Sequence, residues 1–104
     1  VSTLFESMAL GAIGGVVSLA NAFPEPCCQL FEKFVSGDMQ GARELHYRLF
    51  RLNRAVSGSF GVAGVKYAME LGGFHGGDPR LPLLPITEAG KVSVQKAVQA
   101  AGLM

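Results

Sequence analysis

The most constraining feature of this sequence is one apolar segment, residues 14–21, that has the pattern of a β-strand. It reads Gly-Gly-Val-Val-Ser-Leu-Ala-Asn, carries no charge and has two β-branched residues near its centre. Strands that are buried on both faces, as in the parallel sheets of α/β proteins, have this composition. The rest of the sequence predicts only helices and loops, and a buried strand without partners is very costly. Either the strand interpretation is therefore wrong, or the chain is a piece of a larger protein that supplies the partners of this strand.

The composition agrees with a part of a larger protein. Of the 104 residues, 49% are hydrophobic and only 16% are charged. This charged fraction is low for a small domain, because most of its surface must face water. The chain also begins with Val1 and not with Met, so we expect the natural start of the protein to lie upstream.

Charge and hydropathy argue against nucleic acid and membranes as partners. The net charge of +1 creates no long-range attraction for phosphate or anionic lipid. Residues 7–24 are uncharged, but they contain three glycines and a proline. Their length only just reaches the roughly 18 residues that suggest a membrane-spanning helix. Because no basic residue precedes this run, we expect neither a membrane span nor a signal peptide.

The first 37 residues are predicted to contain a helix, the strand and a second helix. Thr3 and Glu6 have the spacing of a capping box, so the first helix should start at about residue 4. Pro26 suits the first turn of the helix that follows the strand. Gly37 predicts a left-handed stop at the end of that helix.

Residues 38–104 are predicted to form three helices. Asp38 and Thr87 have the side chains of N-caps, and apolar residues recur at helical spacing after each of them. The helices are expected over about 39–56, 62–71 and 88–101. A break is expected at residues 57–61, and a loop rich in glycine and proline at residues 73–86.

No motif for metal binding or catalysis stands out. Cys27 and Cys28 are adjacent, which strains a disulfide, and we interpret them as free thiols in a reducing compartment. A vicinal redox pair or a metal site is the alternative, but neither CxxC spacing nor a nearby histidine supports it. His46 and His75 share no ligand-type spacing with an acidic residue or a cysteine. We expect no metal, no cofactor and no catalytic residue within this chain.

The basic residues and a glycine-rich run also have simple interpretations. The basic residues on predicted helices are Arg43, Arg48, Arg51 and Arg54, together with Lys33, Lys66, Lys91 and Lys96. The arginines are interpreted as the solvated face of the long helix, with a subunit contact or an anion site as the alternative. A Schiff-base lysine must be desolvated, which argues against each of these lysines. Residues 72–77 are interpreted as a turn, because no strand precedes them and no GK[ST] follows.

The predicted strand is therefore the candidate site. In βα-barrels the reactive groups lie at the C-terminal ends of the strands and in the loops that follow. Along this strand Val16, Ser18 and Ala20 would point to one side, and Val17 and Leu19 to the other. Ser18 and the loop at Asn21 are therefore the candidate pocket wall, with a strand that only packs as the alternative.

Three stretches of the sequence, taken together, resemble a known family. They are LGAIGGVVSLAN at residues 10–21, GVAGVKYAM at residues 61–69 and RLPLLPIT at residues 80–87. Over essentially all 104 residues the chain resembles the C-terminal third of the dihydrodipicolinate synthase / N-acetylneuraminate lyase family. Its Gly-Gly-Val-x-x-Leu-Ala-Asn form is most similar to the eukaryotic 4-hydroxy-2-oxoglutarate aldolase branch.

The resemblance implies an α/β fold, although the chain itself would be mostly α. Residues 1–37 would be the end of a (β/α)8 TIM barrel, namely helix 7, strand 8 and helix 8. Residues 38–104 would be the three-helix C-terminal extension. Strands one and seven would lie on either side of residues 15–19 and belong to the remainder of the barrel, in the N-terminal part of the same protein.

The resemblance also implies a class I aldolase or lyase. In this family a lysine on strand six forms a Schiff base with pyruvate or another 2-oxo acid. That lysine would lie upstream, so the chain alone is expected to be inactive. Val16 matches the apolar residue of strand eight beside the bound pyruvyl group, and Ser18 and Asn21 would lie near the pocket mouth. A homo-oligomer in the cytoplasm or mitochondrion is expected.

The alternative is a free-standing, mostly helical interaction domain without catalysis. In that case residues 14–21 would be helix or loop. A cooperative thermal melt of the monomeric chain, followed by circular dichroism, would favour this alternative. Aggregation or a molten state would favour a part of a barrel.

Overall fold

The computed structural model describes residues 1–104, and all of its regular secondary structure is helical. The elements are α1 (Leu4–Ala9), a 3₁₀ helix (Ser18–Asn21), α2 (Pro24–Val35), α3 (Met39–Asn53), a π-helical turn (Arg54–Gly58), α4 (Ser59–Leu71) and α5 (Glu88–Ala100). The predicted mostly α character is confirmed. None of these helices combines the length and the apolar character needed to cross a membrane.

The predicted strand over residues 14–21 is wrong for this chain. Residues 12–17, called the open segment below, have no regular structure, and the following residues form the 3₁₀ helix. Val17 has a β conformation, with φ −121° and ψ 128°. The reason is that a strand exists only as part of a hydrogen-bonded ladder, and the backbone from Ile13 to Val16 forms no hydrogen bond within this chain. The alternative interpretation of this stretch, as helix or loop, describes it better.

Two of the three predicted N-caps are confirmed. The Asp38 carboxylate accepts a hydrogen bond of 2.9 Å from the Gly41 N–H and begins α3. This bond, together with one from Lys33, lowers the pKa of Asp38. The Thr87 hydroxyl accepts a bond of 3.1 Å from the backbone N–H three residues later and begins α5. Thr3 caps nothing, because its φ of −121° and ψ of 7° are not the extended conformation of an N-cap.

The predicted break between the third and fourth helices is narrower than residues 57–61. The chain runs from α3 through the π-helical turn into α4, and only Gly61 leaves helical geometry, with φ 59° and ψ −141°. Glycine adopts such a positive φ without a Cβ clash. The turn buries Val56 completely, so an earlier break would expose this side chain.

A single core joins the beginning and the end of the chain. Seventeen buried apolar side chains form one cluster. Its fully buried large members are Leu19, Leu30, Leu49, Leu52, Val56, Val94 and Val98. Each of them contributes roughly 1.5–3 kcal/mol of apolar burial. The division into residues 1–37 and 38–104 stays a prediction, because both parts contribute to this core.

Helix α1 is fastened to α3 by polar contacts as well. His46 Nε2 lies 3.1 Å from the Glu6 carboxylate, and Asn53 Nδ2 donates to the Ser2 hydroxyl at 2.9 Å. Leu4 and Met8 of the same helix are buried in the core. These contacts hold the start of the open segment at a defined place.

Candidate substrate-pocket site

The open segment and the 3₁₀ helix present their side chains in two directions. Val16 is fully exposed and Ser18 is exposed, whereas Leu19 is fully buried and Val17 is half-buried against the core. The alternation expected of a strand is therefore visible in the exposure of these four residues, but it stops at Ala20, which was expected on the side of Val16 and instead packs against the core because the chain has turned into the 3₁₀ helix. One side of the segment is anchored in the core, and the side that carries Val16 and Ser18 is free.

The backbone of the open segment has no partner either. From Ile13 to Val16 neither the N–H groups nor the carbonyls form a hydrogen bond within the chain. Ile13 is 96% exposed, so it adds a second large apolar side chain to this surface. Unpaired backbone beside exposed aliphatic side chains is typical of a sheet edge that another strand covers.

Ser18 and Asn21 lie together at one end of this surface. The Asn21 side-chain amide donates to the Ser18 carbonyl at 3.0 Å and closes the 3₁₀ turn. Both residues line an open cleft of about 520 Å³ between the 3₁₀ helix and α4. Val16 does not line this cleft. The structure therefore brings together two of the three predicted pocket residues and leaves the third on the adjoining free surface.

The opposite wall of the cleft comes from residues that the sequence did not indicate. Val62, Val65 and Met69 supply its apolar surface, and Lys66 supplies its only charged side chain. Lys66 was predicted to lie on a helix, which is confirmed, and its ammonium donates to the Gly76 carbonyl at 3.0 Å. No local spacing reveals this wall, because it depends on how α4 packs against a segment about 45 residues earlier in the chain.

A second hollow lies on the other side of the open segment, against α2. Its volume is about 340 Å³, and Gly15, Val17 and Phe31 are among its lining residues. Cys27 and Cys28 also line it, and both are free thiols. Cys27 is buried, and burial raises the pKa of its thiol to about 11, whereas Cys28 is exposed. This difference agrees with Cys27 as an inert packing residue.

The groups at the free surface can bind but are not arranged for covalent chemistry. Val16 offers an apolar contact, Ser18 a hydroxyl and Asn21 an amide. The histidines lie elsewhere: His46 packs between α1 and α3, and His75 is exposed beside Glu70. The surface therefore holds no nucleophile paired with a base. No three His, Cys, Asp or Glu side chains come together as a metal site would require.

Comparison with known proteins identifies the class. The family described as Dihydrodipicolinate synthetase family matches residues 2–101. The 4-hydroxy-tetrahydrodipicolinate synthase of Methanopyrus kandleri is 36% identical over 97 residues, which is 93% of this chain and 32% of that protein. The enzyme of the same name from Bartonella tribocorum is 38% identical over 96 residues, 92% of this chain and 33% of that protein.

Solved structures agree with the sequence comparison. KD(P)GA from T. tenax superposes with a TM-score of 0.87 at 29% identity, over 97% of this chain and 36% of that one. A dihydrodipicolinate synthase superposes with a TM-score of 0.85 at 30% identity, over 99% of this chain and 36% of that one. The chain belongs to the dihydrodipicolinate synthetase family. It spans about a third of the length of the curated relatives that it matches.

Proposed function

We propose that this chain is the C-terminal part of a class I aldolase or lyase that acts on pyruvate or a related 2-oxo acid. The observation that carries the proposal is the open segment: its backbone is unpaired, and Ile13 and Val16 are exposed beside it. Family membership supports the same conclusion, because the relatives are synthases of about three times this length.

In the proposed assembly the open segment becomes the eighth strand of a TIM barrel. The remainder of the barrel supplies the neighbouring strands and so satisfies the N–H and carbonyl groups from Ile13 to Val16. Residues 1–37 then complete the barrel and residues 38–104 form its helical extension. The exposed Val16 faces the barrel interior, and Ser18 and Asn21 lie at the end of the strand where barrel enzymes bind their substrates.

The chemistry in this proposal belongs to a lysine that the remainder of the barrel provides. Its neutral amine condenses with the ketone of the 2-oxo acid, forms an imine and releases water. Val16 contributes by excluding water beside this lysine, since a desolvated amine has a lowered pKa and is more often neutral. The chain alone is inactive, because its four lysines all lie on helices and none lies within residues 14–21. Lys66, which lines the cleft beside Ser18, has its ammonium hydrogen-bonded to the Gly76 carbonyl.

The finer assignments belong to the same proposal. The Gly-Gly-Val-x-x-Leu-Ala-Asn form favours the 4-hydroxy-2-oxoglutarate aldolase branch, whereas the two relatives described above are 4-hydroxy-tetrahydrodipicolinate synthases. The 2-oxo acid substrate, the homo-oligomeric state and the cytoplasmic or mitochondrial location follow from the resemblance. The buried and unpaired thiol of Cys27 is compatible with a reducing compartment.

The free-standing interaction domain explains less. It accounts for the absence of a strand in the chain, because it treats residues 14–21 as helix or loop. However, it leaves Leu10, Ile13 and Val16 at least 90% exposed in the finished protein. It also gives no reason for the match to an enzyme family over residues 2–101.

The test is to trap the imine and to locate it. The chain is produced with and without the N-terminal part of the same protein, incubated with pyruvate and reduced with sodium borohydride. Mass spectrometry of each polypeptide should find the reduced pyruvyl adduct only when both parts are present, and only on the N-terminal part. An adduct on any lysine of the 104-residue chain, or failure of the two parts to associate, would contradict the proposal.

A further inference from the structure

Two side chains of α4 form hydrogen bonds with the backbone of a single glycine, Gly76. The Lys66 ammonium donates to the Gly76 carbonyl at 3.0 Å, and the Glu70 carboxylate accepts from the Gly76 N–H at 2.9 Å. The same carboxylate oxygen accepts from the Gly77 N–H at 3.2 Å. Lys66 and Glu70 are one helical turn apart, so both side chains emerge from the same face of α4.

The position of Gly76 demands glycine. A Cβ atom at this residue would collide with the Lys66 carbonyl and lie very close to its Cα. The collision is with the helix backbone, which cannot move as the end of a flexible side chain does. Gly76 therefore lies directly on the surface of α4, and this close approach brings its polar groups within reach of Lys66 and Glu70.

Beyond the backbone bonds of Gly73 and Phe74 to the end of α4, these two side chains are the only polar attachment of the segment to a helix. Between residues 75 and 86, every hydrogen bond or ion pair to a helix involves Lys66 or Glu70. His75 adds to the same attachment, with Nδ1 at 3.5 Å from the Glu70 carboxylate. The other hydrogen bond of this stretch is local, from Leu83 N–H to the Arg80 carbonyl.

Lys66 also connects this attachment with the candidate site. Its side chain lines the cleft that Ser18 and Asn21 form with α4. It equally lines a smaller cavity of about 180 Å³ beneath residues 77–79 and 85–86. Lys66 therefore lines the cleft and also binds the segment that contains Gly76.

We infer that Lys66 and Glu70 are a positioning pair that holds the Gly/Pro-rich segment 73–86 on α4 and thereby shapes the cleft beside Ser18 and Asn21. The inference rests on the proposed function for its catalytic consequence, but not for its structural one. Lys66 acts through its contact with Gly76 and does not touch the reacting carbonyl. No residue of segment 73–86 lines the cleft itself, so the effect on the site passes through the Lys66 side chain, which does line it. Releasing Lys66 from Gly76 would move this cation, so substrate binding would weaken before the chemical step changed.

The first test measures the hold on the segment in the complete protein, in which this chain is joined to the remainder of its barrel. Hydrogen–deuterium exchange of peptides covering residues 72–79 should become faster in Lys66→Met and in Glu70→Gln. Lys66→Arg keeps a donor and should restore much of the protection. The matched controls are Lys96→Met and Glu88→Gln, because neither residue contacts this segment. Unchanged hydrogen exchange in both Lys66→Met and Glu70→Gln would overturn the inference.

The second test asks whether the contacts of Lys66 and Glu70 with Gly76 affect substrate binding at the site. With pyruvate as the probe, the concentration that gives half-maximal borohydride-trapped adduct should rise about tenfold in Lys66→Met and Glu70→Gln. The maximal trapping rate should stay within about twofold of the wild-type rate, and Lys66→Arg should recover the wild-type concentration. Faster exchange with unchanged pyruvate dependence would overturn the positioning role. If the wild-type protein forms no adduct, the proposed function and the catalytic consequence fail together, and the exchange data still decide whether the pair holds the segment.

Discussion

Two segments of this chain lack regular secondary structure, and they differ in where their hydrogen-bond partners are. The open segment, residues 12–17, leaves the backbone from Ile13 to Val16 without any partner. The segment 73–86 is longer and contains three prolines, yet Lys66 and Glu70 bind its backbone at Gly76. The irregular segment with the stronger strand pattern is thus the one whose backbone, from Ile13 to Val16, forms no hydrogen bond within the chain.

The difference teaches how irregular backbone is satisfied. A strand obtains its hydrogen bonds from other strands, so in the proposed barrel the open segment depends on the two neighbouring strands. A loop rich in glycine and proline obtains some of them from side chains and turns, and segment 73–86 is attached to α4 in this way at Gly76 and Gly77. We expect substitutions in the first segment to affect assembly and substitutions around the second to affect local order.

The largest effect is expected for Val16→Asp. Placing a carboxylate where the proposed barrel closes should cost about 4 kcal/mol, which weakens association with the N-terminal part about a thousandfold. Titration of the two parts by light scattering or calorimetry measures this affinity. Val35→Asp is the control, because Val35 is 65% exposed at the end of α2. If both variants associate as tightly as the wild type, Val16 does not face the barrel interior.

The second prediction separates the two sides of the same short region. Leu19→Ala should lower the free energy of unfolding by about 3 kcal/mol, because Leu19 is fully buried and its removal leaves a cavity. Val16→Ala should leave the stability of the isolated chain nearly unchanged, since Val16 is fully exposed there. Urea denaturation followed by circular dichroism measures both. Equal losses of unfolding free energy in the two variants would mean that Leu19 and Val16 do not lie on a buried side and an exposed side of this region.

The third prediction concerns Gly76 in segment 73–86. Gly76→Ala should destabilise the protein by about 2 kcal/mol and detach residues 74–78 from α4, because the new Cβ collides with the Lys66 carbonyl. Gly58→Ala is the control, since a Cβ at Gly58 meets only ordinary contacts of 3.7 Å or more. Thermal melting and hydrogen exchange report the two effects. Tolerance of Gly76→Ala would show that the segment does not lie directly on the helix.

The smallest effect is expected from pH. Hydrogen bonds from Gly77 and Gly76, and then the neighbouring His75, lower the pKa of Glu70 below its usual 4.5. The folded state therefore favours the charged form, and the stabilisation is complete above pH 4.5. It declines as the pH falls below that value and is lost below the lowered folded-state pKa.

Nuclear magnetic resonance can follow this titration directly. The ¹⁵N signals of Gly76 and Gly77 should titrate together, with a midpoint below 4.5, and the titration should vanish in Glu70→Gln. Glu88→Gln should leave it unchanged, because Glu88 is exposed on α5 and pairs only with Lys91. A titration midpoint at or above pH 4.5 would contradict the hydrogen bonds from Gly76 and Gly77 to the Glu70 carboxylate.

Much of the helical structure could be predicted because it depends on neighbours in sequence. Asp38 and Thr87 cap the helices that they were expected to cap, since an N-cap bond spans only three residues. Gly61 ends regular helical geometry within the range predicted for a break. Thr3 failed as a cap because its residue type suited the role but its backbone conformation did not.

Less of the candidate site could be predicted. Ser18 and Asn21 were selected from the sequence, and the structure places both on one cleft. Lys66 and Glu70 were not selected, because their partner Gly76 is recognisable only when the loop is folded back on α4. The role of Val16 stays a prediction, since its proposed neighbours lie outside the chain.

By itself the sequence determined the family, the number of α-helices and the segment that we propose to be completed by other strands. These properties depend on residue type, on periodicity and on interactions that span a few residues. Only the tertiary structure decided that the predicted strand remains unpaired and that α4 forms the second wall of the cleft. It also decided that Lys66 and Glu70 hold Gly76. Such contacts depend on which backbones approach one another in space, and the number of residues between them in the sequence does not encode that approach.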